Sequence, residues 1–390
     1  MNITKPSNIK IIVAPNALKG SLTAEQAARS IELGIKKKIP RADVVSFLVS
    51  DGGDGFVESL SYGLYVETYS ISVSGPLGKP VLASFLYSSE KQIAIIEMAT
   101  ASGLVLLDED ELEPMKANTY GLGQLILATL DQGAQHIVLG IGGSATNDGG
   151  TGMATALGIQ FLDIANNPLS GNADNLHKIA YIDFTNIDSR LNTVTFDIAC
   201  DVNNLLLGEQ GAAVVYGPQK GATPDQVSII ENGLSNLATV IERDLGVDVR
   251  SIEGGGAAGG LGAALYAFLG GKIKPGAELL LDLLNFDSQL QNASLVITTE
   301  GKLDFQTGFG KAPSIVANRA NKLGVPTIII SGQIDYTNLN WHELGFFKVY
   351  SLCDETISSS YAIAHADKLL TEKSERVIDD FLAQNSSASI

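Results

Sequence analysis

Short apolar runs alternate along the chain with loops of turn formers and with stretches where apolar residues recur every three or four positions. Residues 9–14 form the first apolar run and 15–21 (PNALKGS) a loop. Ala24, Ala27, Ala28, Ile31 and Ile35 then share one helical stripe, with Thr23 and Gln26 spaced for a capping box. A second apolar run, 44–49, leads into SDGGDG (50–55) and a helix starting near Phe56. SGPLGKP (74–80) is so dense in turn formers that it reads as a crossing point between domains. The middle of the chain carries strands at 92–97 and 137–141. The far end returns to the opening style. It has a strand at 295–298, a helical stripe of Ile315, Val316, Ala320 and Leu323, strands at 327–330 and 347–352, and a helical tail after about Ser360.

Strands alternating with helices predict an α/β fold with parallel sheets. A chain of 390 residues accommodates two domains of ~100–200 residues each. Chain ends tend to meet within one domain, and insertions fall at exposed turns. The expected architecture is therefore two α/β domains. Residues 1–75 plus 290–390 would form a Rossmann- or flavodoxin-like three-layer domain, and 76–289 a second α/β domain inserted into it. No repeat of fixed period is present.

Composition narrows the function. Hydrophobic residues make up 45% and charged residues 18%, with 41 glycines, which fits packed cores rather than disorder. No apolar run reaches the ~18 residues a membrane helix needs, and MNITKPSNIK lacks a signal-peptide pattern. A cytoplasmic location and no membrane partner are expected, with self-association left open. Cys200 and Cys353 are too few for a disulfide framework and fit a reducing compartment. A net charge of −17 argues against nucleic acid as a partner. It also means that anionic substrates must be drawn in locally, by a few lysines, backbone amides or Mg²⁺. None of His136, His177, His342 and His365 lies in a glycine-rich loop, so acid–base work falls to carboxylates.

The strongest local signal is HIVLGIGGSATNDGGTG, residues 136–152. An apolar strand runs into glycines, hydroxyls and one carboxylate, then into a helical pattern, which is the setting in which backbone amides meet phosphate. Gly142, Gly143, Gly149 and Gly150 would allow close approach. Ser144, Thr146 and Asn147 would donate hydrogen bonds, and Asp148 would hold Mg²⁺. No GxxxxGK[ST] occurs, and the bland reading is a tight turn. SDGGDG puts Asp51 and Asp54 at another strand end, suited to Mg²⁺ or to orienting a hydroxyl nucleophile, or simply to turn formation. Lys19, in PNALKGS, suits a phosphate or carboxylate. CDVNN (200–204) adds Asp201 and Asn204, and GPQKGA (217–222) adds Gln219 and Lys220, all weak by themselves. EGKLDFQTGFGKAP (300–313) brings Glu300, Asp304, Gln306 and Lys311. GGGAAGGLGAAL (254–265) reads as tightly packed helix entry as readily as ligand contact.

Together APNALKGSLTA, SDGGDGF, VSGPLG, the stretch from TYGLGQ through GIGGSATNDGGTGMATALG, ACDVNN, GPQKGA, GGGAAGGLG and EGKLDFQTGFGKAP resemble the bacterial glycerate kinase family, in the family's order and over nearly the whole chain. The chain departs from that pattern at Leu205, Thr299 and Lys302, which stand where the family usually has proline, glycine and arginine. The resemblance implies two α/β domains, ATP with Mg²⁺ as co-substrates, and D-glycerate phosphorylated to 2-phosphoglycerate. Phosphoryl transfer depends on positioning and charge neutralisation. In that scheme Lys19 and the 142–150 loop would hold phosphates. Asp51, Asp54 or Asp201 would bind Mg²⁺ or accept the hydroxyl proton, and Lys311, with Glu300 and Asp304, would meet the substrate. The rival readings are a kinase for another small hydroxy acid or sugar acid, and a metabolite-binding protein without catalysis.

Overall fold

A computed structural model describes residues 9–50, 56–304 and 311–387. Asp51, Asp54 and Gln306 lie outside the described residues. The chain forms two compact units, Met1–Leu64 with Ala277–Ile390, and Tyr65–Gly276.

In the first unit five strands make one sheet in the order Lys348–Ser351, Thr327–Ile334, Ala293–Leu303, Lys10–Val13, Asp43–Ser46. Every neighbouring pair is parallel. Numbered along the chain and read from the other edge, the order is 2-1-3-4-5, the flavodoxin-like doubly wound arrangement. Strands buried on both faces must be apolar throughout, which is why they appear in the sequence as unbroken apolar runs. Ile11, Val13, Leu295, Ile297, Ile328 and Ile330 pack against the helices Ala24–Lys38 and Ala366–Ser387. Ile329 and Leu303 face the other way, against Ala317 of the helix Ala312–Lys322 and Phe346. The Thr23–Gln26 capping box forms and starts the first helix.

The second unit has a six-stranded sheet in the order Lys272–Lys274, Thr195–Ala199, His136–Gly140, Ile93–Glu97, Pro80–Ser88, Glu67–Ser74. The first four strands are parallel, and the last two add on as an antiparallel meander. SGPLGKP is the turn of that meander's hairpin, with Gly75 N–H donating to Lys79 O at 2.7 Å, rather than a crossing between domains. A hairpin turn draws on the same residues as a domain crossing, so composition could not tell them apart. Leu122, Leu125 and Ile126 of the helix Tyr120–Asp131 cover one sheet face together with Leu261 and Leu265. The helix Pro224–Leu245 builds a second core from Leu234, Leu237 and Ile241 against Phe161 and Leu176. Among the described residues no helix is long and apolar enough to cross a membrane.

Candidate active site

Parallel strands place their carboxyl ends on one edge of a sheet, and ligands of such sheets bind there, at the point where strand order reverses. In the first unit the reversal falls between Lys10–Val13 and Ala293–Leu303. The helices that follow them pack on opposite faces, so the intervening loops part. The loop after Lys10–Val13 is stitched to the neighbouring strand. Thr298 Oγ1 donates to Ala14 O at 2.7 Å, and Thr299 Oγ1 donates to Asn16 O at 2.6 Å. The second bond needs a hydroxyl, which the family's usual glycine at this position lacks. Leu18 and Leu22 exchange backbone hydrogen bonds at 2.9 and 3.0 Å, leaving Lys19 and Gly20 exposed at the tip.

Glu300, Asp304 and Lys311 come from the neighbouring strand end. Lys311 Nζ donates to Glu300 Oε1 at 3.0 Å, and Glu300 is largely buried. The lysine expected on a substrate carboxylate is thus engaged by a carboxylate of the protein. Lys302 Nζ stands 3.6 Å from both Asp304 Oδ2 and Asp335 Oδ2. As a compact point charge it sits between two acids without the bidentate geometry of arginine.

In the second unit the 141–150 loop divides into two parts. Gly142 and Gly143 are exposed, and a side chain on Gly142 would meet open space. Everything from Ser144 to Gly150 is buried. Asp148 is fully buried. Its Oδ2 accepts from Thr119 N at 2.8 Å, Thr119 Oγ1 at 2.7 Å and Gly152 N at 3.1 Å, and its Oδ1 accepts from Gly150 N at 3.0 Å. The helix that follows, Thr151–Ala156, has only six residues. Asp148 therefore sits at its N-terminus and, with four protein donors on its carboxylate, braces the loop. Burial pushes its carboxyl above the usual range, against the pull of those hydrogen bonds.

Gly149 and Gly150 also serve packing. Both adopt positive φ, and a Cβ on them would fall 2.6 Å from Leu237 Cδ2 and 2.4 Å from Ala264 Cβ. Gly259, from the GGGAAGGLG segment, brings its carbonyl to Gly149 N–H at 3.0 Å.

The residue that sequence reasoning undervalued is Lys220. It is 1% exposed, and its Nζ donates to Ser144 Oγ at 2.8 Å and Thr146 O at 2.6 Å. Burial lowers its pKa to about 7, partly offset by the Asp148 charge. A lysine is almost never fully buried without a partner, and this one tethers the loop behind the exposed Gly142–Gly143 tip. The Asn147 amide and the Thr146 hydroxyl are buried with no hydrogen-bond partner among the described residues; the hydrogen bonds give no account of them.

Asp201 follows the adjacent strand, whose Ala199 pairs with Gly140, so the 200–204 and 141–150 loops start side by side. It is exposed, and its Oδ1 accepts from Gly276 N at 2.8 Å. Asn204 braces the same loop, donating to Gln210 O and accepting from Tyr216 OH, both at 2.7 Å. Among the described residues no group of three or more His, Cys, Asp or Glu is placed to hold a metal. Mg²⁺ on a nucleotide keeps several waters and needs only one or two protein carboxylates, and an exposed acid such as Asp201 fits that demand.

The chain is thus an α/β protein of two units, the first flavodoxin-like and the second a sequentially ordered sheet with an antiparallel edge, each carrying glycine-and-charge loops after its parallel strands. The chain belongs to the glycerate kinase family, whose profile matches residues 11–382. It is 44% identical to a glycerate kinase of Halalkalibacterium halodurans over 94% of this chain and 97% of that one. It is 42% identical to the glycerate 2-kinase of Escherichia coli K12, over 88% and 90% respectively. The crystal structure described as glycerate kinase 2 from Salmonella typhimurium LT2 superposes with a TM-score of 0.86. It is 38% identical and covers 98% of this chain and all of that one.

Proposed function

We infer that this protein transfers the γ-phosphoryl group of ATP to a hydroxyl of D-glycerate, yielding 2-phosphoglycerate and ADP. The observation that carries the reading is family membership over residues 11–382, at 42% identity to a relative named glycerate 2-kinase. The strand-end loops support it chemically. Lys19 is an exposed cation at the switch point of the first unit, and Gly142–Gly143 is an exposed backbone tip that a phosphate oxygen can approach closely.

In the transfer, the glycerate oxygen forms a bond to the γ-phosphorus as the bond to the bridging oxygen of ADP breaks, and the hydroxyl proton leaves to a carboxylate or to solvent. Bound Mg²⁺ would supply positive charge to offset that of the phosphates. Asp201 is the described carboxylate that would hold it, with Asp51 and Asp54 as further candidates outside the described residues. Because the transition state is loose, a carboxylate near the hydroxyl contributes mainly orientation.

The test combines purified protein, ATP, Mg²⁺ and D-glycerate, with phosphorus NMR of the product. A resonance for 2-phosphoglycerate with equimolar ADP is expected, and little turnover of L-glycerate or glycerol. Glycerol lacks the carboxylate that anchors the substrate, so equal turnover of glycerol removes the assignment. A panel of other hydroxy acids and sugar acids, with ADP detection, tests the substrate class.

A further inference from the structure

We propose that a small pocket lying wholly within the first unit, beside Cys353, takes the adenine ring of the nucleotide. This rests on the reading that ATP is the phosphoryl donor. The pocket holds about 110 Å³, less than the ~150 Å³ cavity that encloses one benzene ring, so it would take one edge of a bicyclic base and leave the rest towards solvent. It is lined by residues at the carboxyl ends of four parallel strands, on the edge where ligands of such sheets bind.

Its lining is mixed in the way a flat heterocycle requires. Leu18, Leu352 and Ala362 are buried and supply apolar walls. Gln333 and Ser359 add an amide and a hydroxyl that can read a ring edge. A three-carbon dihydroxy acid has no apolar face to set against two leucines, and neither has a phosphate. Lys19 also lines the pocket and is exposed. An exposed cation in the same lining would let one ligand with a flat ring and an anionic tail use both the apolar walls and the charge. The base would be bound by this unit's own residues.

Cys353 makes the pocket testable, because it lines the wall and is partly exposed while Cys200 is buried. The full-length protein is labelled with N-ethylmaleimide, a neutral reagent, and modification of Cys353 is followed by peptide mass spectrometry. Adenosine, or ADP with Mg²⁺, at about ten times its Kd is expected to slow labelling about tenfold. D-glycerate and inorganic tripolyphosphate are expected to leave the rate unchanged. Ser359→Phe fills the pocket from an exposed position, so the fold should stand; it is expected to raise KM for ATP about tenfold with KM for glycerate unchanged.

Protection by glycerate alone would assign the pocket to the acid and overturn the proposal. So would unhindered labelling under saturating adenosine in protein that turns over ATP, or an unchanged KM for ATP in Ser359→Phe. Absence of any ATP turnover by the wild type would strike at the proposed activity instead, and adenosine protection would still decide what the pocket takes.

Discussion

The two glycine-and-charge loops that follow apolar strands, 15–21 in the first unit and 141–152 in the second, look alike in sequence and do opposite things. In the first, backbone bonds from Leu18 to Leu22 and the threonine stitches at 298 and 299 close the loop from beneath. Lys19 is left exposed. In the second, the loop's one charged side chain turns inward. Asp148 takes four hydrogen bonds and Lys220 reaches in to Ser144 and Thr146, so that only Gly142 and Gly143 face solvent. Such a loop works as a reactive surface or as an internal brace according to where its polar side chains find partners. Residue types alone do not decide that. On the proposed reading, in which the brace positions the glycine tip and the exposed lysine meets substrate, substitutions in the two loops should fail in different ways.

The largest effect is expected for Asp148→Asn. Donors meet both carboxylate oxygens, three on Oδ2 and Gly150 N–H on Oδ1, so whichever way an amide turned, its nitrogen would face at least one N–H. Leaving buried donors unpaired beside a buried lysine should cost about 3 kcal/mol or more, read as a shift of the denaturant midpoint. A variant with wild-type stability and depressed kcat would instead return Asp148 to the metal role.

Gly149→Val comes next. It combines a left-handed backbone with a Cβ 2.6 Å from Leu237, strain and overpacking that together cost on the order of 3 kcal/mol. Gly142→Ala is its control, since an added Cβ meets nothing within 4 Å. That variant should unfold as the wild type does while its KM for ATP rises. Equal loss of stability in both would mean that the tip is as closed as the brace.

Much of the scaffold was legible because its signals are local. Buried parallel strands read as continuous apolar runs, and Thr23 with Gln26 spelled out a cap that forms. The brace was not legible because its partners are distant in sequence. Thr119 lies 29 residues from Asp148 and Ser144 lies 76 from Lys220. Nothing in GPQKGA distinguishes a buried lysine from the usual solvated one, and SGPLGKP names a turn without saying what the turn joins. The six-residue length of Thr151–Ala156 was also hidden, because the helical pattern of GMATALG runs past its end.

Lys220→Met tests the brace through pH. The folded lysine titrates near 7, against an ordinary value of 10.5. Between those limits the unfolded chain keeps a proton that the folded protein releases, so this group makes stability rise with pH across the window. Below pH 7 both forms are protonated and the burial cost stands in full. From pH 7 to 9 the wild type should therefore gain roughly 2 kcal/mol over Lys220→Met, at about 1.36 kcal/mol per unit. Asp148, the charged group facing it, acts to reduce that gain. Parallel stability curves for the two proteins would mean that Lys220 stays charged and that the Asp148 charge outweighs burial.

The smallest effect on stability, and the sharpest on function, is expected for Lys19→Ala. The side chain is exposed at the loop tip, and the loop's closing bonds are made by backbone atoms and by the two threonines. Removing it should shift stability by no more than about 0.5 kcal/mol. The protein carries a net charge of −17, so an exposed cation at the switch point matters more here than it would on a neutral surface. Loss of that charge should raise KM for ATP about tenfold, corresponding to ~1.4 kcal/mol. Added salt should weaken nucleotide binding by the wild type more than by the variant, because only the wild type has that charge to screen. Lys19→Arg keeps the charge and should recover most of the affinity. Should Lys19→Ala bind ATP as tightly as the wild type at low salt, the tip is a solvated turn, and the phosphate contacts would have to come from Gly142–Gly143 and Lys311.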